Sequence, residues 1–587
     1  MCGIAGLMTP GPAPDPNVLD RLVAALGHRG PDGQGRHVGG AVGLVHARLA
    51  IIDLEGGRQP LHGPSGTVLV GNGEIYNYRE LSGGMALATG SDCEPPLHLY
   101  ARDGLGMIDC LRGMYALAIH DPGDDQRPER LILARDPFGI KPLYIAEGAH
   151  GVAFASEPQA LVAAGFGRPV QVAGQPRDEL LQLQFTTGAD TVFTGIRRVL
   201  PGETLVIEGG AVVSSTRRSP VSSASPRLTH EGEALAAFEA AMTNSVDLHQ
   251  RADVPYGMFL SGGIDSSVLL ALMARLNDRP VLAFTAGFPG TGAHDERAHA
   301  RVVAHACGAE HVEVEVTEAD FWDHLPAIAA AMDDPAADYA IVPTWLLARE
   351  ARKSVKVILS GEGGDELFGG YSRYRGAMRP WPFAKPMRRK GTFDGLDVLR
   401  RAPVDWRSGL ALAEVEAKRA GGSALMRAQR LDMADWLPND LLGKLDRCLM
   451  AHGVEGRVPF LDAAVAEVAF RLSDRLKVRG GQGKWLVRRW LSQALPVAQP
   501  FAPKKGFTVP VGEWIAARGA ALGPLVAASP GVDEIARPEA VAALFRAPGK
   551  RERFAAWTLL FYALWHRRHV QGQIMSGGVF DVLTSAP

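Results

Sequence analysis

Apolar positions change their period once along this chain. Up to about residue 210 they fall in short runs, at 42–48, 67–71, 130–135, 143–146, 151–155 and 204–207, separated by Gly, Pro and Asp turns. Such runs predict strands, and their density predicts an α+β domain rich in sheet. The polar stretch 214–226, with Pro220 and Pro226, has too little apolar surface to pack and is predicted to be a linker. Beyond it, apolar residues recur at helical spacing over 231–251, then fill a strand at 254–260, a helix through Leu269 and Leu272, and a strand at 281–288. Further strands are predicted at 311–316 and 355–360, with helices between. Strands alternating with helices in this way require a parallel sheet covered on both faces, and such sheets bind ligands beyond the carboxyl ends of their strands. From about Asp435 the pattern is mostly helical, apart from a loop at 503–510. The predicted organisation is an α+β domain at 2–212, a linker at 213–228 and an α/β domain with extra C-terminal helices at 229–587.

Composition narrows the function classes without naming one. The chain has 587 residues, more than one hydrophobic core holds. A hydrophobic fraction of 46%, a charged fraction of 21% and a net charge of -2 give no field that would recruit nucleic acid or an anionic membrane. No apolar run approaches the roughly 18 residues of a membrane span, and the N-terminus lacks a basic flank before an apolar stretch. A cytoplasmic protein is expected. The cysteines Cys2, Cys93, Cys110, Cys307 and Cys448 are scattered, without the spacing of a disulfide framework or a zinc site.

Cys2 differs from the others by position. Removal of Met1 would leave a thiol and a free α-amine on one residue, and the amine can serve as base for the nucleophile beside it. Five further segments follow in order: Arg29-Gly30-Pro31-Asp32-Gly33, His46-Ala47-Arg48-Leu49-Ala50-Ile51-Ile52-Asp53, Gly71-Asn72-Gly73-Glu74-Ile75-Tyr76-Asn77, Ser91-Asp92, and Arg135 through Tyr144 with Asp136-Pro137-Phe138-Gly139-Ile140-Lys141-Pro142-Leu143 between. Together with Cys2 these resemble the glutaminase domain of the N-terminal-nucleophile amidotransferases, in particular that of glutamine-dependent asparagine synthetases.

The resemblance implies roles for particular side chains. Cys2 would attack the glutamine amide. Asn72 and the Gly73 backbone N–H would stabilise the oxyanion. Arg48 would pair with the α-carboxylate, the adjoining Leu49, Ala50, Ile51 and Ile52 would line the substrate, and Glu74 and Asp92 would hold the ammonium. One departure is Cys93-Glu94-Pro95-Pro96, where the family usually reads Thr-Glu-Val; it puts the local backbone in question rather than Asp92.

The strand ending at Leu260 runs into Ser261-Gly262-Gly263-Ile264-Asp265-Ser266-Ser267 and then into a helix. Glycines let the backbone curl around an anion, serines donate hydrogen bonds, and a helix N-terminus adds partial positive charge. The string lacks Walker spacing and resembles the SGGxDS signature of ATP pyrophosphatases. A second acidic segment, Ser360-Gly361-Glu362-Gly363-Gly364-Asp365-Glu366, also follows an apolar strand. The resemblance assigns Leu260, Ser261, Gly262, Gly263, Asp265, Ser266, Ala286, Ser360 and Gly361 to ATP, and Asp265 and Asp365 to Mg2+. Hard carboxylate oxygens suit that ion. It assigns Glu362 to the step where the activated acid forms or meets ammonia, and Lys484, in Gly483-Lys484-Trp485-Leu486-Val487-Arg488, to neutralising charge on the phosphate and acyl oxygens. The segments Glu455-Gly456-Arg457-Val458-Pro459-Phe460-Leu461-Asp462 and Lys504-Lys505-Gly506-Phe507-Thr508-Val509-Pro510 also fit the family.

What the resemblance implies is an amide-forming ligase with glutamine, ATP and aspartate as substrates, often dimeric, with an internal tunnel carrying ammonia between two sites. The matching motifs run from Cys2 to about Trp514, leaving the reaction type firmer than the acceptor. Two alternatives stay open: an amidotransferase of this architecture acting on a peptide-like osmolyte or a surface-polymer sugar acid, and a glutaminase-like regulatory protein with an inactive synthetase half. The latter predicts loss of Asp265, Asp365 or Lys484, and all three are present.

Overall fold

The computed structural model describes residues 2–167, 170–221, 227–380, 382–503 and 508–585. Met1, part of the expected linker and the Lys504-Lys505-Gly506-Phe507 segment lie outside them.

Among the described residues the first half contains β1 (Gly3–Met8), β2 (Gly33–Gly39), β3 (Val42–Arg48), β4 (Leu61–His62), β5 (Val68–Ile75), β6 (Gly113–Asp121), β7 (Arg130–Arg135), β8 (Tyr144–Gly148), β9 (Gly151–Ala155), β10 (Ile196–Arg198), β11 (Glu203–Glu208) and β12 (Ala211–Arg217). They form two antiparallel sheets, in the orders β10-β8-β9-β1-β3-β2 and β12-β11-β7-β6-β5-β4. Alternation along each strand sets the layers. Val42 and Leu44 of β3 pack against Ala116 and Ala118 of β6, with Leu131, Leu133 and Phe154, between the sheets. Val45 and Ala47 of β3 join Leu19, Leu22 and Leu161, which lie on helices Pro16–Ala25 and Pro158–Ala164. Tyr115, Leu117 and Ile119 of β6 meet Leu97, Tyr100 and Met107 on and after helix Pro95–Asp103. The result is a helix–sheet–sheet–helix sandwich.

The predicted linker needs correction. Ser214 to Arg217 are not free chain: they continue β12, with Thr216 opposite Thr204 and Arg217 opposite Glu203. An edge strand needs one paired side only, so polar side chains can point to water while the backbone is satisfied. At the far end Leu228, placed in the linker, is buried and bridges Leu472.

The second half is built on β13 (Tyr256–Phe259), β14 (Leu282–Gly287), β15 (Glu310–Glu315), β16 (Val357–Leu359) and β17 (Glu455–Arg457), ordered β15-β14-β13-β16-β17 and parallel throughout. Helices Arg297–Ala306 and Ile341–Ala351 pack on β14 and β15. The chain steps outward from β13 to β14 and β15, then returns to the other side of β13 for β16. The carboxyl ends of β13 and β16 therefore flank the crevice where strand order reverses, the position at which such sheets bind ligands. β17 lies inside the stretch predicted to be helical. Its three residues, Glu455-Gly456-Arg457, have no apolar run to betray a strand. The last seventy or so residues, which carry no motif, supply the larger part of helix Val511–Ala527 and all of helix Lys550–His569. Trp557 and Trp565 of the latter are fully buried. No helix among the described residues is long and apolar enough to cross a membrane.

Candidate active sites

The first cluster gathers where β1 begins and β5 ends. Cys2 is buried, its N donates to Asn72 Oδ1 at 3.1 Å, and its sulfur lies 3.8 Å from the Leu49 carbonyl oxygen. Burial pushes its thiol above the ordinary range, so attack requires a base to take the proton. β5 extends beyond the predicted 67–71 and carries Asn72, Gly73 and Glu74 opposite Ala116, Tyr115 and Met114 of β6. Gly73 has φ +149°, and a Cβ there would sit 2.0 Å from the Met114 carbonyl oxygen, so only glycine fits.

Two polar atoms of this strand are buried without a hydrogen-bond partner: Asn72 Nδ2 and Glu74 Oε2. Buried polar groups in proteins are almost always satisfied, so such orphans mark a place for a ligand. Asp92 Oδ2 accepts from Ile75 N at 2.7 Å, and burial, with Glu455 adding to it, pushes the Asp92 carboxyl up to about 6. Burial also raises Glu74 well above the usual carboxylate range, with Glu455 and Asp92 reinforcing the shift. A cationic group brought between Glu74 and Asp92 would restore charge to both.

Arg48, expected to pair with the α-carboxylate, already spends part of its guanidinium within the chain. It donates to the carbonyl oxygens of Leu54 at 2.8 Å and Asp53 at 2.6 Å, anchoring the loop after Leu49-Ala50-Ile51-Ile52. That loop is further held by Asp32, which accepts from Ala50 N and from Lys356 Nζ, each at 2.9 Å, and by Asp253, which accepts from Asp53 N at 2.7 Å. The unusual Pro95-Pro96 pair opens helix Pro95–Asp103, positions at which a missing N–H costs nothing. Glu94 closes the turn before it by accepting from Ala88 N and Thr89 N at 2.6 and 2.7 Å.

The second cluster sits at the carboxyl ends of β13 and β16. The loop after Leu260 curls through Gly262, at φ +66°, into helix Ile264–Leu276. Ser266 Oγ accepts from Ser261 N at 3.2 Å, and Ser261 Oγ accepts from Gly263 N at 3.3 Å. Ala286 is buried near the end of the neighbouring β14. Across the crevice, Ser360 N donates to the Arg457 carbonyl oxygen at 2.8 Å. A Cβ on Gly361 would meet Asp265 Cβ at 2.9 Å, and one on Gly364 would meet Asp265 Oδ1 at 2.5 Å, so the two loops close on each other only because both positions are glycine.

Asp265, Asp365 and Lys484 meet in one ionic knot. Lys484 Nζ bonds Asp265 Oδ2 and lies 2.8 Å from Asp365 Oδ1. Burial opposes its charge, yet the two carboxylates together hold the ammonium above its ordinary range. Lys484 occupies φ +57° immediately before helix Trp485–Ala494. Glu362, half-buried, is raised by burial, with Lys444 opposing. No group of three or more His, Cys, Asp and Glu among the described residues is placed to hold a metal unaided.

Several charged groups at these sites were not singled out from sequence. Arg29 Nε donates to the Cys2 carbonyl at 3.1 Å, and one terminal nitrogen donates to both Glu157 and Asp446 at 2.8 Å. Arg457 pairs with Glu455 at 2.6 Å and approaches Glu74 at 3.3 Å. Glu366 accepts from the Tyr371 hydroxyl at 2.6 Å, and burial with Asp365 beside it pushes its carboxyl up to about 8. The available signal was a charge inside an otherwise apolar or glycine-rich motif.

Comparison with known proteins agrees with this division. The Asparagine synthase family model matches residues 237–567 and the Glutamine amidotransferase domain model residues 1–217. The chain is 35% identical to a Mycobacterium tuberculosis protein provisionally named a glutamine-hydrolysing asparagine synthetase, over 98% of both chains. It is 32% identical to asparagine synthetase 1 of Bacillus subtilis over 88% of both, and 30% identical to asparagine synthetase B of Escherichia coli over 85% of this chain and 79% of that one. A buried N-terminal thiol on a sheet sandwich, a phosphate-type loop on a parallel sheet and these matches lead to one conclusion: the chain belongs to the glutamine-hydrolysing asparagine synthetase family of ATP-dependent ligases.

Proposed function

We propose that the chain converts aspartate to asparagine, drawing nitrogen from glutamine and consuming ATP. The observation that carries this reading is the orphaned pair Asn72 Nδ2 and Glu74 Oε2 beside the Cys2 thiol, in a chain whose second half gathers Asp265, Asp365 and Lys484 at a phosphate-type loop.

At the first site the Cys2 sulfur attacks the glutamine carboxamide carbon, and the α-amine exposed by loss of Met1 takes the thiol proton. Asn72 Nδ2 and Gly73 N donate to the oxyanion, and loss of one such donor costs about a hundredfold in rate. Ammonia leaves as the tetrahedral adduct collapses to a thioester, which water hydrolyses to glutamate. Glu74 and Asp92 hold the substrate ammonium. Arg48 takes the α-carboxylate, with Leu49, Ala50, Ile51 and Ile52 forming the wall.

At the second site Leu260, Ala286, Ser360 and Gly361 contact the nucleotide, and Ser261, Gly262, Gly263 and Ser266 wrap its phosphates. Asp265 Oδ2 and Asp365 Oδ1 already converge on one cation, the Lys484 ammonium. Two carboxylates completed by phosphate oxygens suit Mg2+, which supplies neutralisation of phosphate charge when bound. The acceptor carboxylate attacks the α-phosphorus and pyrophosphate leaves. Ammonia then displaces AMP from the acyl carbon, with Glu362 beside the reacting atoms and Lys484 facing the charge on the α-phosphate and acyl oxygens.

Incubation with glutamine, ATP and aspartate should yield asparagine and AMP together. AMP formed only with a different acid would overturn the acceptor. Replacing Cys2 by Ala should abolish glutamine-dependent synthesis and preserve synthesis from added ammonium, and loss of both would overturn the division of labour between the sites.

A further inference from the structure

We propose that Arg457, a residue of the synthetase half, is a positioning residue of the glutaminase site: it fixes one oxygen of the Glu74 carboxyl so that the other is presented to the substrate ammonium. The inference deepens the reading of the Cys2 cluster as a glutaminase and rests on it.

Arg457 is fully buried. Its own half fixes most of the guanidinium: Nε pairs with Glu455 at 2.6 Å, and one terminal nitrogen donates to the carbonyl oxygens of His249 at 2.9 Å and Arg251 at 2.7 Å. The remaining nitrogen points across the boundary between the halves and stands 3.3 Å from Glu74 Oε1. The guanidinium also lies 5.7 Å from the centre of the Tyr76 ring, at the end of the same glutaminase segment. A planar fork clamped on two sides cannot swing away, so the third side is a fixed positive charge presented to Glu74.

Glu74 needs that charge. Burial and the neighbouring Glu455 and Asp92 carboxylates all favour its neutral form, whereas Arg457 works the other way. Even so Glu74 stands well above the usual carboxylate range, so Arg457 offsets only part of the shift and the substrate ammonium must supply the rest. The Glu74 oxygen facing Arg457 is thereby set, while Oε2 is buried without a hydrogen-bond partner.

The same residue is tied to the nucleotide loop. Arg457 pairs with Leu359 of β16, and its carbonyl oxygen accepts from Ser360 N at 2.8 Å. One residue thus completes the glutamine subsite through its side chain and anchors the other site through its backbone.

The test uses the full-length enzyme carrying Arg457→Met or Arg457→Lys, with glutamine hydrolysis and ammonium-dependent AMP formation measured separately. Arg457→Met should raise the glutamine KM by about tenfold or more, the loss expected for one desolvated charge contact. Ammonium-dependent AMP formation should stay within about twofold, and Arg457→Lys should recover part of the KM because it keeps the charge. In a Glu74→Gln background the Arg457→Met change should add nothing further to KM. An unchanged glutamine KM in either variant overturns the proposal, as does a parallel fall in both activities, which would mark a merely structural role. If Arg457→Met does not fold, Arg457→Lys decides alone: a raised KM with intact ammonium-dependent synthesis supports the proposal and an unaltered KM overturns it. A wild-type enzyme that does not hydrolyse glutamine would instead overturn the reading of the Cys2 cluster.

Discussion

Asp92 is almost wholly buried, and the proton equilibrium it sets is testable. Burial, with Glu455 adding to it, pushes its carboxyl up to about 6 from the usual 3.8. The folded chain therefore binds a proton that the unfolded chain releases. Stability attached to this group is fully present below pH 3.8, falls as pH rises through the window up to about 6, and is gone above it. At neutral pH the penalty is of the order of 3 kcal/mol. Asp92→Asn keeps an oxygen to accept from Ile75 N, the 2.7 Å contact of the native residue, and cannot ionise. The variant should be more stable than wild type near neutral pH, no different near pH 3, and weaker in glutamine affinity. Denaturant unfolding at both pH values checks the first two, and an equal stability difference at the two would contradict the assignment. Asp92 and Cys2 could be singled out in sequence because each sits in a motif whose chemistry is local. The partnership of Arg29 with Asp446 was not, since 417 positions separate them and nothing in either neighbourhood encodes the other.

Strand β5 is the element on which the first site stands. Its apolar start, Val68-Leu69-Val70, was readable, but its polar end, Gly71-Asn72-Gly73-Glu74, reads as a turn by composition. The ladder to β6 overrides that propensity, because pairing with Met114 to Leu117 satisfies the backbone whatever the side chains are. Gly73 pays for the close approach with its missing Cβ. Gly73→Ala would place a carbon 2.0 Å from the Met114 carbonyl oxygen at φ +149°, which forces the strands apart. Destabilisation of roughly 3 kcal/mol is expected, visible as a lowered unfolding midpoint together with loss of glutamine hydrolysis. A variant with native stability would mean that β5 and β6 adjust freely there. β17 illustrates the opposite limit. Its Glu455-Gly456-Arg457 sequence has no period of two and no β-branched residue, so only its place beside β16 makes it a strand.

At the scale of the whole molecule, the two halves meet through buried charge as well as apolar packing. Arg29, with no exposed surface, binds Glu157 of its own half and Asp446 of the other, while Arg447 shares Asp446 at 3.1 Å and pairs with Asp333 at 2.7 Å. Although burial opposes it, Arg29 holds the Asp446 carboxyl below its ordinary range. Removing one member of such a network leaves guanidinium charge buried with too few partners, at a cost of about 3 to 5 kcal/mol. Asp446→Ala should therefore lower global stability by that order, measured by denaturant unfolding. Its effect on activity should be unequal. Arg29 Nε also holds the Cys2 carbonyl at 3.1 Å, so an Arg29 freed from Asp446 loosens the nucleophile directly, whereas Asp265 and Asp365 are paired with Lys484 in a separate cluster at the other site. Glutamine hydrolysis should fall further than ammonium-dependent AMP formation under conditions where the variant remains folded. An equal fall in both would show that the ionic boundary stabilises the halves without reaching the thiol.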